Sequence, residues 1–497
     1  MIRHLAVLVA ATALLGATPP RFDMAAHVLP PAATPGAAAQ PFVSVAQPQV
    51  ALVHVRVIDG TGAPALADRT VLIDHGRIAA VQAASDPVPA GYRVIDASGD
   101  SVLPGLVGMH DHQYYIARPN LDEQGHSEPP LMVPEMAFSS PRLYLAAGVT
   151  TLRTSGSVEP YTDLNLKQQI DAGVLPGPHM DVTGPYLEGA DSPFMQMHPL
   201  KDAAEARRMV DYWADVGVTS FKAYMNITRA ELAAAAAAAH KRGLKITGHL
   251  CAVTYPEAVA AGIDDLEHGF FVNTQLDSGK RADVCSKSSG AETLAAMAPD
   301  SAAAKALIKL LVDHHVAVTS TLPVFEPSSP SYRPLGPKQL DVMSPAARTD
   351  YFYVRERYTG RPAAKKAAAA SNWAHELGLE RAFVAAGGLL LAGPDPTGGG
   401  EVIPGFGDQR ELELLVEAGF TPLQAIRIGT LNGASYEGLA ERIGSIAPGK
   451  DADLVLVHGD PSTHIEAIED VVTVFKDGVG YDPDKLLASV RGRYGQY

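Results

Sequence analysis

The stretch Val102-Leu-Pro-Gly-Leu-Val-Gly-Met-His-Asp-His112 is an apolar run that passes through a Pro-Gly turn and ends in two histidines one residue apart. In a β-strand, residues i and i+2 point to the same face, so His110 and His112 can direct two imidazoles at one point. Imidazole is a common zinc ligand. Because a chain with 17 histidines can contain such a pair by chance, the pair becomes informative only if later strands also end in ligands.

After His112, short apolar runs alternate with helical segments. We count the His110–His112 strand as the first and read seven more, at residues 148–153, 179–183, 218–222, 244–249, 264–268, 316–322 and 389–395. This alternation predicts parallel strands joined by crossover helices, and eight of them make a TIM-type (β/α)₈ barrel. The longer segments 272–315 and 324–371 are expected to be partly helical insertions near the barrel mouth.

Both ends of the barrel region are flanked by short β-type runs separated by turns, which predict a small antiparallel β unit. The fold class is therefore α/β, with a small β-sandwich domain built from both chain ends. The predicted division is a signal peptide at 1–20, an Ala/Pro-rich unstructured leader at 21–48, the small β domain at 49–103 and 441–497, and the barrel at 104–440.

The N-terminus has a basic start, a short apolar run and small residues, as in a secretory signal peptide. The apolar run is shorter than the about 20 residues that span a bilayer, although an uncleaved anchor is the alternative. We expect a periplasmic or secreted protein that is not inserted in a membrane after the signal is removed. The two cysteines, Cys251 and Cys285, form a disulfide or stay buried thiols, and the sequence leaves both open.

The charge balance excludes one class of partner. The 497 residues carry 40 Lys and Arg against 55 Asp and Glu, a net charge of −15. Nucleic-acid binding needs a basic face, so nucleic acid is not expected as a partner. The acidity is read as a contribution to solubility.

Four further strand ends carry possible ligands: Lys222, His249, His268 and Asp395. Each alone has an ordinary structural explanation, such as a hydrogen-bonded histidine or a solvated lysine. Barrel enzymes, however, place their chemistry at the carboxyl ends of the strands. Four imidazoles, one lysine and one carboxylate around one rim therefore predict a metal-dependent active site.

These residues and several motifs resemble the amidohydrolase superfamily of metal-dependent hydrolases, in its imidazolonepropionase-like and prolidase-like branch. The resemblance covers about residues 50–480. Beyond the strand ends it rests on Gly148-Val-Thr-Thr-Leu-Arg153, on Glu267 before His268, on Asn432-Gly-Ala-Ser435 and on Ile443-Gly-Ser-Ile-Ala-Pro-Gly-Lys-Asp-Ala-Asp-Leu454.

The resemblance implies a site with two divalent metal ions, zinc being expected and manganese or cobalt being alternatives. It implies that one ion is held by His110, His112 and Asp395, and the other by His249 and His268. Lys222 would be carbamylated and bridge both ions. A hydroxide bridging the metals would attack the carbonyl, and Asp395 would pass a proton to the leaving nitrogen.

The implied enzyme is a hydrolase of C–N bonds, and its expected substrates are dipeptides or N-acyl, including N-aroyl, amino acids. The alternative is a cyclic amide or lactone hydrolase with the same metal site. A binding protein on a barrel scaffold, or a structural protein, would leave the ligand set unexplained. Ala252 stands where deaminases of the superfamily have a glutamate, which argues against deamination, and Thr154 and Pro394 also depart from the usual motifs.

Substrate contacts are predicted at four positions that could lie near the barrel mouth: Tyr114, Arg153, His198 and Tyr255. Tyr114 follows the histidine pair, and Tyr255 stands where a peptidase-like relative uses a tyrosine to polarise the carbonyl. Arg153 and His198 could meet a substrate carboxylate. The alternative for each is a structural role in packing or hydrogen bonding. The subunits are expected to form a homo-oligomer, as relatives often do.

Overall fold

The computed structural model describes residues 22–114, 131–190, 192, 194–397 and 401–496. The predicted signal peptide lies outside the described residues. The strands are β1 Val43–Val45, β2 Gln49–Val57, β3 Leu66–Asp74, β4 Arg77–Ala83, β5 Arg93–Asp96, β6 Asp100–Pro104, β7 Leu106–Asp111, β8 Val149–Thr154, β9 His179–Val182, β10 Ser220–Ala223, β11 Lys245–Gly248, β12 Asp265–Glu267, β13 Ala317–Ser320, β14 Leu390–Ala392, β15 Leu454–His458, β16 Val471–Lys476 and β17 Val479–Tyr481.

The helices lie mostly between the strands of the central region. They are α1 Met24–Val28, α2 Ser140–Ala146, α3 Pro160–Asp171, α4 Ala203–Val216, α5 Arg229–Lys241, α6 Tyr255–Ala261, α7 Ala291–Ala296, α8 Ala302–Asp313, α9 Leu322–Phe325, α10 Pro337–Val342, α11 Pro345–Thr359, α12 Ala363–Ala385, α13 Phe406–Glu417, α14 Pro422–Arg427, α15 Gly433–Tyr436 and α16 Pro483–Ser489. No helix of the described residues is long and apolar enough to cross a membrane.

Strands from both chain ends share one nine-stranded sheet, in the order β1-β17-β16-β15-β6-β2-β3-β4, with β5 paired to β2. The link between the ends is the antiparallel pair β15–β6. The expected purely antiparallel pattern is wrong for β5 and β6, which both run parallel to β2 because the chain crosses over before pairing with it. Folding of this sheet into a sandwich stays a prediction.

The segment before the sheet is ordered, contrary to the expectation of an unstructured leader. Within residues 22–48, Val28 ends α1 and Leu29 follows it, and both are fully buried in an apolar cluster with Leu391. β1 then pairs with β17. The Ala/Pro-rich composition concealed these few apolar anchors, whose burial fixes the segment on the rest of the chain.

The eight predicted parallel strands are all present as β7 to β14. β7, β8 and β9 form a three-stranded parallel sheet, and β10 to β14 form a five-stranded parallel sheet. A parallel bridge between Thr183 and Ser220 follows β9. Beyond β14, the Asp395 amide donates to the His110 carbonyl at 3.0 Å. The strands are buried along their length, as expected for parallel sheets covered by helices.

Local sequence signals explain the helices around these strands. A capping box formed by Thr228 and Glu231 opens α5, and four of the alanines of this helix are buried. α4 ends at Gly217, whose φ of 121° suits a residue without a side chain. Segments 272–315 and 324–371 contain helices α7, α8, α10 and α11, so both are partly helical as expected.

A disulfide joins Cys251, two residues after His249, to Cys285 across a sequence separation of 34. Closing a loop of this length lowers the entropy of the unfolded chain, which is worth roughly 3–4 kcal/mol. We expect a Cys251→Ser/Cys285→Ser variant to lose about this much free energy of unfolding in urea. Addition of dithiothreitol should reduce the stability of the wild type and leave that of the double variant unchanged. Equal stability of the oxidised and double-variant proteins would contradict the prediction.

Two glutamates of α12 lie buried behind the strands. Glu376 accepts a hydrogen bond from the Phe270 amide at 2.8 Å. Burial raises the pKa of Glu380 to about 8 and raises the pKa of Glu376 well above its ordinary value. The folded protein therefore holds protons that the unfolded chain releases above a pH of about 4.3.

The stabilising contribution of Glu380 is complete below the unfolded pKa and is lost as the pH rises toward 8. We expect the free energy of unfolding to fall between pH 5.5 and 8, by up to about 1.4 kcal/mol per pH unit for each such group. Glu380→Gln keeps the neutral form and should flatten this slope in urea denaturation. Glu466→Gln, at an exposed position, is the matched control. A slope unchanged by Glu380→Gln would contradict the assignment.

Candidate active site

Six predicted ligands line one cavity of about 240 Å³ at the carboxyl ends of the parallel strands. They come from β7, β10, β11, β12 and β14 or from the one to three residues that follow each strand. Although these residues are spread over nearly 300 positions of the chain, the fold brings them together. They are His110, His112, Lys222, His249, His268 and Asp395.

Asp395 lies at the centre of this set. Its Oδ1 is 3.3 Å from His112 Nε2 and 3.7 Å from His110 Nε2, and its Oδ2 is 3.8 Å from His268 Nδ1. The last two distances are too long for hydrogen bonds. Both Asp395 (φ 51°) and His268 (φ 67°) have left-handed backbone conformations. Such conformations are uncommon away from glycine and are concentrated at functional sites.

Glu267 organises the floor of the cavity, and sequence reasoning had given it no role. Its Oε2 lies 2.7 Å from His110 Nδ1. Its Oε1 accepts hydrogen bonds from Ser155 Oγ at 2.7 Å, Thr247 Oγ1 at 2.5 Å and Arg153 Nη2 at 3.0 Å. A carboxylate that binds the Nδ1 proton of a histidine leaves the Nε2 lone pair free for a ligand. Glu267 therefore directs His110 Nε2 toward Asp395.

Burial favours the neutral form of three of the imidazoles. Burial lowers the pKa of His112 to about 4 and that of His249 to about 3, and it lowers the pKa of His268 well below its ordinary value. Burial by itself would raise the pKa of Glu267, but the charge of Lys222 and the neighbouring His110 and Arg153 outweigh it and hold that pKa well below the usual range. The histidines are thus available as ligands and Glu267 is ionised.

Lys222 is fully buried beside this carboxylate. Its Nζ donates to Ser155 Oγ at 3.1 Å and lies 3.7 Å from Glu267 Oε1. Burial lowers its pKa, with partial opposition from Glu267 and Asp395. An uncharged amine is the form that reacts with carbon dioxide, so the environment suits carbamate formation.

The donor set fits divalent metal ions. Donor atoms of His110, His268 and Asp395 all lie within 4.8 Å of one another, and all three side chains are buried. His268 Nδ1 lies 2.9 Å from Thr321 Oγ1, which leaves its Nε2 for a ligand. Neutral imidazoles oriented through their second nitrogen, together with a carboxylate that stays ionised, are the usual ligands of zinc and similar ions.

Of the predicted substrate contacts, Tyr114 alone lines the cavity. Its ring stacks on His112 with 4.4 Å between centroids. Its hydroxyl lies 2.6 Å from the Tyr186 hydroxyl. Tyr186 and Tyr224, whose rings are 4.7 Å apart, continue the same wall. Their strand-end positions were the only sequence signal for the two additional tyrosines.

The other three predicted contacts lie elsewhere. Arg153 is fully buried, where it pairs with Asp265 at 2.7 Å and with Glu267, so it supports the site from below. Tyr255 is also buried and donates to the Gly269 carbonyl at 2.7 Å. His198 is half exposed and pairs with Glu205 at 3.3 Å. None of these three side chains is among the residues that line the cavity, and their contact with substrate stays a prediction that the geometry does not support.

Comparisons with known proteins agree with this geometry. The family model described as "Amidohydrolase family" matches residues 101–331 and 360–480. One curated relative, the adenine deaminase of Paracoccus denitrificans (strain Pd 1222), is 43% identical over 53 residues, which are 11% of this chain and 9% of the relative. So small a share of the relative carries no information about activity.

Several solved structures share the fold. The bottromycin amidohydrolase AH has a TM-score of 0.65 at 19% identity, covering 90% of this chain and 91% of its own. A Xaa-Pro dipeptidase with bound methionine in its active site has a TM-score of 0.63 at 20% identity, with coverage of 87% and 100%. The A. niger ochratoxinase has a TM-score of 0.62 at 16% identity, with coverage of 90% and 99%. These identities establish similarity of fold alone.

Proposed function

The chain belongs to the amidohydrolase family of hydrolases acting on amide bonds, and we propose that it is an exported binuclear metalloenzyme. Its proposed substrates are dipeptides or N-acyl, including N-aroyl, amino acids. The observation that carries the proposal is the convergence of four imidazoles, one lysine and one carboxylate on a single cavity. The eight parallel strands that position them are proposed to close into a barrel.

The proposed ligands divide into two groups. His110, His112 and Asp395 would hold one ion, His249 and His268 would hold the other, and a carbamate on Lys222 would supply further oxygen ligands. Zinc is the ion that best suits this mixture of imidazole and oxygen donors. When bound, two such ions would lower the pKa of a shared water toward about 7 and polarise the scissile carbonyl.

The residues of the chain then have separate tasks. Asp395, ionised at the centre of the site, takes the proton of the attacking water and delivers it to the leaving nitrogen. Glu267 keeps His110 in one tautomer and one orientation. The buried walls exclude bulk water, which strengthens each of these interactions.

The cavity wall supports the substrate class. Apart from the ligands it is mainly aromatic and aliphatic, and its volume of about 240 Å³ suits one acyl or aroyl group. Its aromatic residues are Tyr114, Tyr186, Phe194, Tyr224 and Phe325. Flat apolar walls of this kind pack against an aromatic or branched acyl group.

Export is proposed from two features. The N-terminal sequence has the pattern of a secretory signal. The disulfide between Cys251 and Cys285 persists best in an oxidising compartment such as the periplasm. A homo-oligomer stays a prediction.

The test is mass spectrometry of a mixed library of dipeptides, N-acyl and N-aroyl amino acids after incubation with zinc-loaded enzyme. Chelated enzyme and His112→Ala should both be inactive. His198→Ala, which alters a half-exposed histidine away from the cavity, should keep full activity. Turnover of cyclic amides or lactones without loss of a fragment would instead support the alternative hydrolase. Cleavage that survives both chelation and His112→Ala would overturn the proposal.

A further inference from the structure

A second cluster of possible ligands lies outside the cavity, where the nine-stranded sheet meets the parallel strands. His179 is the first residue of β9, Asp453 directly precedes β15, and Asp477 lies in the turn between β16 and β17. His179 and Asp453 are buried, and Asp477 is partly exposed. Donor atoms of all three lie within 4.8 Å of one another.

The spacing of these donors decides between two explanations. His179 Nε2 is 3.4 Å from Asp477 Oδ1 and 3.6 Å from Asp453 Oδ2. A protonated histidine bound to two carboxylates would have N···O distances of about 2.7–2.9 Å. Ligands about 2.1 Å from a tetrahedral zinc ion, by contrast, lie about 3.4 Å from one another. The observed distances agree with an ion between the donors better than with direct hydrogen bonds.

One unsatisfied atom in the cluster adds to this. Within the described residues, Asp453 Oδ2 is buried and has no hydrogen-bond partner. Buried polar atoms without partners are rare and need an explanation. Asp453 Oδ1, in contrast, accepts a hydrogen bond from the Asp477 amide at 2.7 Å. The partnerless carboxylate oxygen is the one on the side of His179.

The charges also suit a cation. Lys476 Nζ lies 3.5 Å from Asp477 Oδ2. A histidine that ligates an ion is neutral, so two carboxylates and one lysine would then surround the ion. Burial raises the pKa of Asp453 to about 6, as expected for such a carboxylate.

We propose that His179, Asp453 and Asp477 bind a structural divalent metal ion, of the zinc class, that joins β9 to the nine-stranded sheet. A water reaching the exposed side of Asp477 completes the tetrahedral coordination. The ion is separate from the cavity ligands and fixes the strands of the chain ends against the parallel strands that carry the active site.

The test counts zinc per chain in the full-length protein after stripping, zinc addition and gel filtration. His179→Gln should bind one equivalent fewer than the wild type. His240→Gln is the matched control because His240 pairs with a single carboxylate, Asp264, at 2.9 Å, and it should leave the zinc content unchanged. Cobalt(II) titration should show the visible absorption of a tetrahedral site in the wild type, decreased by the same equivalent in His179→Gln.

A second variant covers the case in which His179→Gln does not fold. Lys476→Met removes a positive charge next to the site, so it should tighten zinc binding several-fold at this site. Equal zinc content in wild type and His179→Gln, or unchanged zinc affinity in Lys476→Met, would overturn the proposal. So would a stability difference between wild type and His179→Gln that grows on acidification through the histidine range and does not respond to zinc, since that result identifies a protonated ion pair. The readout is metal content, so it is independent of the proposed catalytic activity.

Discussion

Asp395→Asn should lower kcat by about 10³-fold or more, with little change in the free energy of unfolding. A positioned general base contributes about 10²–10⁴-fold, and Asp395 is also a proposed metal ligand. Asparagine is chosen because it tolerates the left-handed backbone at φ 51°. The substitution therefore removes the charge and the proton acceptor without straining the loop after β14.

The matched control is Asp68→Asn. Asp68 also has a left-handed conformation, with φ 49°, but it lies exposed on the nine-stranded sheet and pairs with His54. This variant should retain wild-type kcat and KM. The measurement is steady-state kinetics on the substrate found in the library screen. Zinc content is measured in parallel, so that loss of the general base can be distinguished from loss of metal. An Asp395→Asn enzyme within tenfold of wild type at full zinc content would remove Asp395 from the proposed mechanism.

The strands and the proposed ligands at their ends could be predicted because a local sequence pattern marks each of them. An apolar run followed by a polar strand end marks the carboxyl edge of a parallel strand, whatever the rest of the chain does. Once eight such runs are aligned, the barrel rule places His110, Lys222 and Asp395 at one rim. The structure brings these three side chains, together with those of His112, His249 and His268, to one cavity.

Two of the predicted substrate contacts, Arg153 and Tyr255, have internal hydrogen-bond partners that the local sequence did not reveal. Arg153 has the charge to bind a substrate carboxylate, yet its carboxylate partner Asp265 is 112 residues away on β12. Tyr255 follows His249 closely, but α6 directs its hydroxyl to the Gly269 carbonyl. A residue type shows what chemistry is possible, and only the packed structure shows which atom is adjacent.

The same reason explains why Glu267 received no role. It was part of the quoted motif, but its importance comes from four side chains that meet at one carboxylate. One signal was present: β12 reads Asp265-Leu-Glu267, which places two acidic residues on the same face of a buried strand. Buried carboxylates need partners, so this pattern indicates an internal polar network.

Glu267→Gln should lower both stability and metal affinity. The amide keeps the shape of the side chain but replaces one acceptor oxygen with a donor, which then faces the donors of His110 or Arg153. It also removes a buried negative charge, so Arg153 and Lys222 lose part of their compensation. Breaking such a buried network costs about 3–5 kcal/mol. Loss of the partner that orients a metal-binding histidine typically weakens metal affinity about 10–100-fold.

Urea denaturation of the metal-free proteins measures the first effect, and competition with a chelator for zinc measures the second. Glu356→Gln, at an exposed position on α11, should change neither. If Glu267→Gln does not fold, Thr247→Val removes a single donor to the same carboxylate and should cost about 1 kcal/mol. Because the carboxylate reaches both the ion-pair network and His110, the stability loss and the affinity loss should occur together. A variant that lost stability while binding zinc as tightly as the wild type would show that Glu267 supports the fold and has no part in orienting His110.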